Sequence, residues 1–264
     1  MKKVLLFLFS ISVFIFMNSV NSKADDLKVV FPGEYIEYEV SFMGITLGSI
    51  IITTNDYVDL NGKKVVNAKS EMKSAKGIPF VDLQAVFESW FNSKITFSEQ
   101  FFSKVKESEN SYKYENYRIN NGKKVVKYEK LIDKDVVEQK VLPFESRVLD
   151  GCSLFFFARQ FTDIKKTVRV PTLMNQGISY TNLNFHGKKE STKIDAVSYP
   201  VKCLYFDGRA DWEGIYGLKG YFQGWFSDDE ARVPIRALMN VYVGNVEIKL
   251  VKWKRGNWQP PKGN

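Results

Sequence analysis

YFQGWFSDDEARVPIRALMNVYVGNVEIKL, residues 221–250, reads as three strands separated by two turns. Val233, Ile235, Ala237, Met239, Val241 and Val243 alternate with Pro234, Arg236, Leu238, Asn240 and Tyr242, and Val246, Ile248 and Leu250 alternate with Glu247 and Lys249. Period two is the signature of a strand with one buried face. Gly244-Asn245 between the two is a two-residue turn that calls for positive φ, so it joins antiparallel neighbours. Asp228-Asp229-Glu230 has the same role at the preceding connection. It follows a strand whose rings, Tyr221, Phe222, Trp225 and Phe226, fall on both faces.

The same rhythm runs outward through the chain. Ile36, Tyr38, Val40 and Phe42 alternate with Tyr35, Glu37, Glu39 and Ser41, and turn signals recur at Met43 to Gly48, Asn61-Gly62, Asn120-Asn121-Gly122 and His186-Gly187. Asn-Gly-Lys-Lys-Val-Val occurs at residues 61–66 and again at 121–126, but the flanks differ, so the repeat reads as one turn solution used twice. Two segments break the pattern. Ile78 to Phe87 reads as a short helix, and Leu149 to Phe161, with Leu154, Phe157, Ala158 and Phe161 at helical spacing, reads as a better one. The expected fold is mainly β (β-rich α+β): a strongly curved antiparallel sheet, barrel- or sandwich-like, with one or two short helices. Residues 25–264 show no linker and read as one domain, large enough to fold without a metal.

Residues 1–24 carry Lys2 and Lys3, an apolar run from Val4 to Met17, and Ser22-Lys23-Ala24. That is the layout of a secretory signal peptide cleaved near Ala24, with an apolar run too short to span a bilayer. Export to a periplasmic or extracellular space makes nucleic acid an unsuitable partner. Loss of Lys2, Lys3 and Lys23 lowers the formal charge from +8 to +5, enough for weak attraction to anionic envelope surfaces and at most peripheral membrane contact. The segment Lys252 to Trp258 mixes cations with Trp, as membrane-interface segments do, and reads equally as a last strand before a flexible end at Gln259 to Asn264. An oxidising compartment permits a disulfide between Cys152 and Cys203, and two buried free thiols fit the sequence as well.

Catalytic side chains are scarce: one His and two Cys stand against 21 Phe, 13 Tyr and 5 Trp. No metalloprotease helix, nucleophile elbow or phosphate-binding glycine loop is present, so no catalytic residue and no cofactor is assigned. His186 sits at a turn, the usual place for a solvated histidine. Asp228-Asp229-Glu230 and the group Asp207, Asp211 and Glu213 match no calcium loop and read as turn chemistry, so no metal is expected. The surplus lies in the rings. Phe155, Phe156 and Phe157 place phenyls on more than one side of a helix, and Tyr221, Phe222, Trp225 and Phe226 on both faces of a strand, where Gly217, Gly220 and Gly224 signal curvature. Such a sheet can line a cavity for an acyl chain, or its rings can simply fill a core.

Gly217 to Arg236, with Val243-Gly-Asn-Val246, Phe31-Pro-Gly-Glu34, Tyr38 to Ile45 and Glu88-Ser-Trp90, resembles the bacterial exported family called domain of unknown function 3108. The resemblance implies a single exported β-rich domain in a Gram-negative type of envelope, and it carries over no catalytic residue. Three functions follow as expectations. The first is a non-enzymatic periplasmic protein binding an apolar or amphipathic envelope molecule such as a lipid. The second is an interaction module that meets an envelope protein through an exposed sheet edge. The third is an envelope-polymer hydrolase.

Overall fold

The computed structural model describes residues 29–78, 82–214, 220–241 and 244–264; the leader and its cleavage site lie outside them. Eight strands come first, in a continuous antiparallel meander: β1 (Glu34–Phe42), β2 (Ile45–Leu60), β3 (Lys63–Ser74), β4 (Gln84–Asn92), β5 (Ser98–Ser108), β6 (Ser111–Asn120), β7 (Val125–Ile132) and β8 (Asp135–Pro143). The two-residue β9 (Leu149–Asp150) leads into α1 (Gly151–Arg159), the one helix among the described residues. A second meander follows: β10 (Lys165–Met174), β11 (Gly177–Thr192), β12 (Val201–Ala210), β13 (Gly220–Ser227), β14 (Pro234–Asn240) and β15 (Asn245–Lys254). Its last strand pairs antiparallel with β1, which fuses both meanders into one fifteen-stranded sheet running from β8 at one end to β9 at the other.

The sheet is not closed by backbone pairing, yet its ends meet. Phe101, Tyr117 and Tyr128 of β5–β7 share a core with Leu173 of β10. At the β10–β11 turn Gln176 donates its backbone N–H to the Tyr117 hydroxyl (3.3 Å) and accepts from Lys140 of β8 (3.1 Å). The helix fills the space so enclosed. Leu154 and Ala158 pack with Val170, Leu183, Phe185 and Phe206, while Phe156 packs with Val66, Ala68 and Phe91. Asp150 caps it by accepting from the backbone of Cys152 (2.9 Å) and Ser153 (3.0 Å), and the Ser153 hydroxyl accepts from the Asp150 N–H in return. The alternation predicts a curved, β-rich sheet that is barrel- or sandwich-like with one or two short helices; the fold takes the barrel-like form, with one helix among the described residues.

Four local expectations are corrected. Gln84 to Phe87 are strand, with Ala85 opposite Met72 and Val105; pairing on both sides overrides the helix-like spacing of apolar residues there, and Pro79 to Val81 lie outside the described residues. The β14–β15 connection is longer than two residues, because Asn240 already pairs with Asn245; Gly244 does take positive φ (77°), and Tyr242 and Val243 are not described. The tail Gln259 to Asn264 is held: Lys202 donates to the Pro261 carbonyl (2.8 Å) and Gly263 to that of Pro200 (2.7 Å). The repeated hexapeptide sits in two different turns, a two-residue one closed by Leu60 and Lys63 and a longer one closed by Asn120 and Val125.

Candidate functional site

The seven rings singled out in the sequence do not form one site: Phe157, Phe222 and Phe226 share a cluster, Phe155 and Phe156 pack in a neighbouring one, and Tyr221 and Trp225 lie on the opposite face of β13. Antiparallel pairing sorts β12 and β13 by face. Phe222 and Phe226 share one face with Phe206, while Tyr221, Gln223 and Trp225 share the other with Tyr205 and Asp207. On the first face the rings fill space left by two missing side chains. A Cβ on Gly224 would sit 2.1 Å from the Phe206 ring, and one on Gly208 would sit 2.4 Å from the Phe222 ring. Phe206 and Phe226 stand 4.8 Å apart, in the cluster that holds Leu154 and Ala158 of the helix. Phe156 is fully buried against Phe91 (5.3 Å), Phe155 meets its edge (5.4 Å), and Phe157 packs on Phe161 (5.0 Å). These rings meet one another, and an acyl-chain cavity between them is not what the packing shows. Two shallow hollows, of about 490 and 410 Å³, lie elsewhere, over Gly33–Tyr35 with Lys252–Lys254 and beside Lys73–Gly77. Gly217 is not described.

The other face of β11–β14, turned away from the helix, carries a connected polar and aromatic ledge. The bulge between Phe185 and Lys188 sets His186 beside Asp207, with Nε2 2.9 Å from the carboxylate and the imidazole stacked on Tyr205 (5.4 Å). Asn184 donates to the same carboxylate (2.8 Å), and so does the Tyr205 hydroxyl (3.3 Å). Gln223 donates to Tyr205 (3.0 Å), whose hydroxyl lies 3.4 Å from that of Tyr221. Trp225 tilts against Tyr205 (5.5 Å), donates to Glu190 (2.7 Å), and carries the Arg236 guanidinium 5.3 Å from its ring. Glu190 pairs with Lys188 (2.6 Å).

Electrostatics keep the ledge charged. Partial burial would push the Asp207 carboxyl up, but the hydrogen bonds of Asn184, His186 and Tyr205 hold it below the usual range. Glu190 is likewise held low against its burial, by Lys188 and the Trp225 N–H. The Tyr205 hydroxyl is pushed up by burial and by its bond with Tyr221, so it stays protonated. The ledge therefore presents two fixed carboxylates, an amide on either side, phenols and a half-exposed imidazole: a surface of paired donors and acceptors between rings. It can bind a hydroxyl-rich group. For catalysis His186 would need a nucleophile, and its partners are Asp207 and the Tyr205 ring.

Tyr221, Trp225, His186 and Asp207 were legible as candidates, whereas Tyr205, Asn184, Gln223 and Glu190 were not. The available signal was β12 itself, where Cys203, Tyr205, Asp207 and Arg209 interleave with Leu204, Phe206, Gly208 and Ala210. The acidic turn is absorbed structurally: Asp228 pairs with Lys202 (3.0 Å) and Lys189 (3.1 Å), and Asp229 caps the turn at Ala231 (3.0 Å) and accepts from Trp258 (2.7 Å). Cys152 and Cys203 are free thiols in separate clusters, one at the start of α1 beside Val148 and Leu173 and the other buried with Val201 and Ile235. Of the two readings left open by the sequence, the structure takes the unpaired one.

Fold and ledge together define a class: an open, barrel-like antiparallel sheet wrapped on one helix, with its polar aromatic site on the outer face. The chain belongs to the family described as protein of unknown function DUF3108, which matches residues 37–251. Among solved structures it is similar to a β-barrel-like protein of the domain of unknown function DUF1849 from Brucella abortus, at 10% identity and a TM-score of 0.53, over 87% of this chain and all of that one. An exported protein with a YmcC-like fold from Bacteroides fragilis also matches, at 10% identity, over 86% and 99% of the two chains, with a TM-score of 0.35. A lipoprotein from Parabacteroides distasonis matches at 10% identity, over 86% and 98%, with a TM-score of 0.33. No curated protein sequence matches the chain.

Proposed function

We propose that this chain is an exported, non-catalytic protein that binds an amphipathic envelope molecule from outside, holding its sugar-bearing headgroup on the ledge. Export rests on the leader of residues 1–24. The carrying observation is the chain of hydrogen bonds from Asn184 and His186 through Asp207, Tyr205 and Gln223 to Tyr221 on an exposed sheet face. Vicinal hydroxyls of a sugar engage planar two-atom groups such as carboxylate, amide and guanidinium, and its C–H faces rest on rings. The filled interior argues for headgroup capture over enclosure of the acyl chain.

Titration with water-soluble oligosaccharides released from envelope glycolipids tests the reading. Tyr221→Ala and Gln223→Ala should each weaken binding about tenfold, the loss of one good contact, and leave the melting temperature nearly unchanged because both side chains lie at the surface. Failure of every released headgroup to bind, or full affinity in Tyr221→Ala, would overturn it.

A further inference from the structure

The two ends of the open sheet differ in how they meet solvent. At one end the free edge of β10 carries Lys165, Lys166, Arg169 and Pro171, and β9 covers it at Thr172 and Leu173. Charged side chains, proline and a covering strand are how proteins guard an edge against pairing. At the other end β8 has β7 on one side and, among the described residues, no strand on the other, and it exposes Val136 (51%), Val137 (52%) and Val141 (59%). A sheet edge with valines in water invites a further strand.

The sequence of β8, DVVEQKVLP, says which strand fits. Turned about a two-fold axis through Gln139, it lays Glu138 against Lys140 of a second copy, Gln139 against itself, and Val137 against Val141. Both sides of every such pair come from the same nine residues, as an isologous contact requires. A foreign strand would impose no such symmetry on β8. Within one chain Glu138 and Lys140 already pair along the strand at 3.0 Å, so both heads lie on one face; Lys140 also donates to Gln176 (3.1 Å), and pairing across the axis exchanges these bonds for Glu138 of the second copy. The bulge where Val137 falls between the partners of Lys130 and Leu131 confines regular pairing to the segment around Gln139.

We propose that two copies of this chain join edge to edge through β8, antiparallel and two-fold about Gln139, continuing one sheet into the other. Five cross-axis contacts of this kind, with main-chain bonds, give a weak and reversible dimer.

Sedimentation velocity of the full chain, from micromolar to submillimolar concentration, reads the mass, and circular dichroism reads the fold. Wild type should sediment as a monomer–dimer equilibrium. Glu138→Lys or Lys140→Glu alone sets like charges opposite each other twice per dimer and should raise the dissociation constant about tenfold. Glu138→Lys combined with Lys140→Glu should restore it. Gln139→Cys should oxidise to a covalent dimer, and Asp135→Cys, which lies beyond the bulge and away from the axis, should not. A wild type that stays monomeric throughout would overturn the proposal, as would a dimer indifferent to both single reversals.

Discussion

Glu34 and Asp150 are carboxylates without access to water, and their surroundings treat them in opposite ways. Glu34 takes Arg159 Nη1 and Nη2 at 2.8 and 3.0 Å and is bonded by Arg255 as well. Burial alone would raise its pKa, but the two guanidiniums outweigh that and hold it below 4.5. Its contribution to stability is thus complete above pH 4.5 and fades as the pH falls through its folded value. Asp150 has no cation. Burial dominates over the hydroxyls of Ser89 (2.5 Å) and Ser98 (2.6 Å) and the two cap amides, and its pKa rises above 3.8. Here the sign reverses: the ionised form is disfavoured in the fold, so stability declines as the pH rises from 3.8 through the folded value. Asp150→Asn keeps a capping oxygen and should remove that decline, its melting temperature gaining on wild type between acid and neutral pH. Parallel profiles would refute the assignment. Arg159→Ala, which strands Glu34 against one remaining guanidinium and orphans the carbonyls of Ala231 and Arg232, should cost about 3–5 kcal/mol in denaturant melts.

Strands β12 and β13 adhere through two ring-into-glycine contacts, a packing that tolerates no added methyl. Gly224→Ala drives a Cβ into the Phe206 ring and should cost about 1–3 kcal/mol by overpacking. Phe206→Leu on its own opens a gap, but combined with Gly224→Ala it should cost less than the sum of the two. A double-mutant cycle with no coupling would mean the contact is not rigid. At this scale the sequence was informative where a pattern is local. Alternation gave β1, β14 and β15, and the helical spacing of Leu154, Phe157, Ala158 and Phe161 gave the helix. It failed where the deciding partner is distant in sequence: Leu83 and Phe87 stand about one helical turn apart, yet the segment becomes strand because Met72 and Val105 flank Ala85 while Ser70 and Ser103 flank Phe87. The ledge was half legible for the same reason. Rings on both faces of β13 could be read directly, but which face would be sealed by α1 depends on a helix some seventy residues away.

Across the whole molecule the chain's last residues finish what its first strand begins. Pairing of β1 with β15 joins the meanders, and the tail beyond then folds back over Val201, Cys203 and Ile235. Trp258 joins that cluster and accepts a hydrogen bond from Trp253 at its carbonyl (3.2 Å). The cations and tryptophans that resemble a membrane-interface segment are therefore occupied: Arg255 reaches Glu34, and Trp258 reaches Asp229. Cys203 reports on this seal. Burial, reinforced by the negative charge of Asp228, Asp229 and Glu190, pushes its thiol up to about 12, and only the thiolate reacts with disulfide reagents. Intact protein should leave Cys203 unmodified for as long as it stays folded. Deleting residues 258–264 withdraws Trp258 and the Pro261 and Gly263 hydrogen bonds together, and should lower stability by about 3–5 kcal/mol, the scale of losing one large aromatic from a core. The meanders remain paired through β1 and β15, so the strand signature in circular dichroism should persist while Cys203 becomes reactive. A deleted chain that keeps its sheet and still protects the thiol would place the seal in the 193–200 connection instead, where Ile194 and Val197 pack against the same cluster.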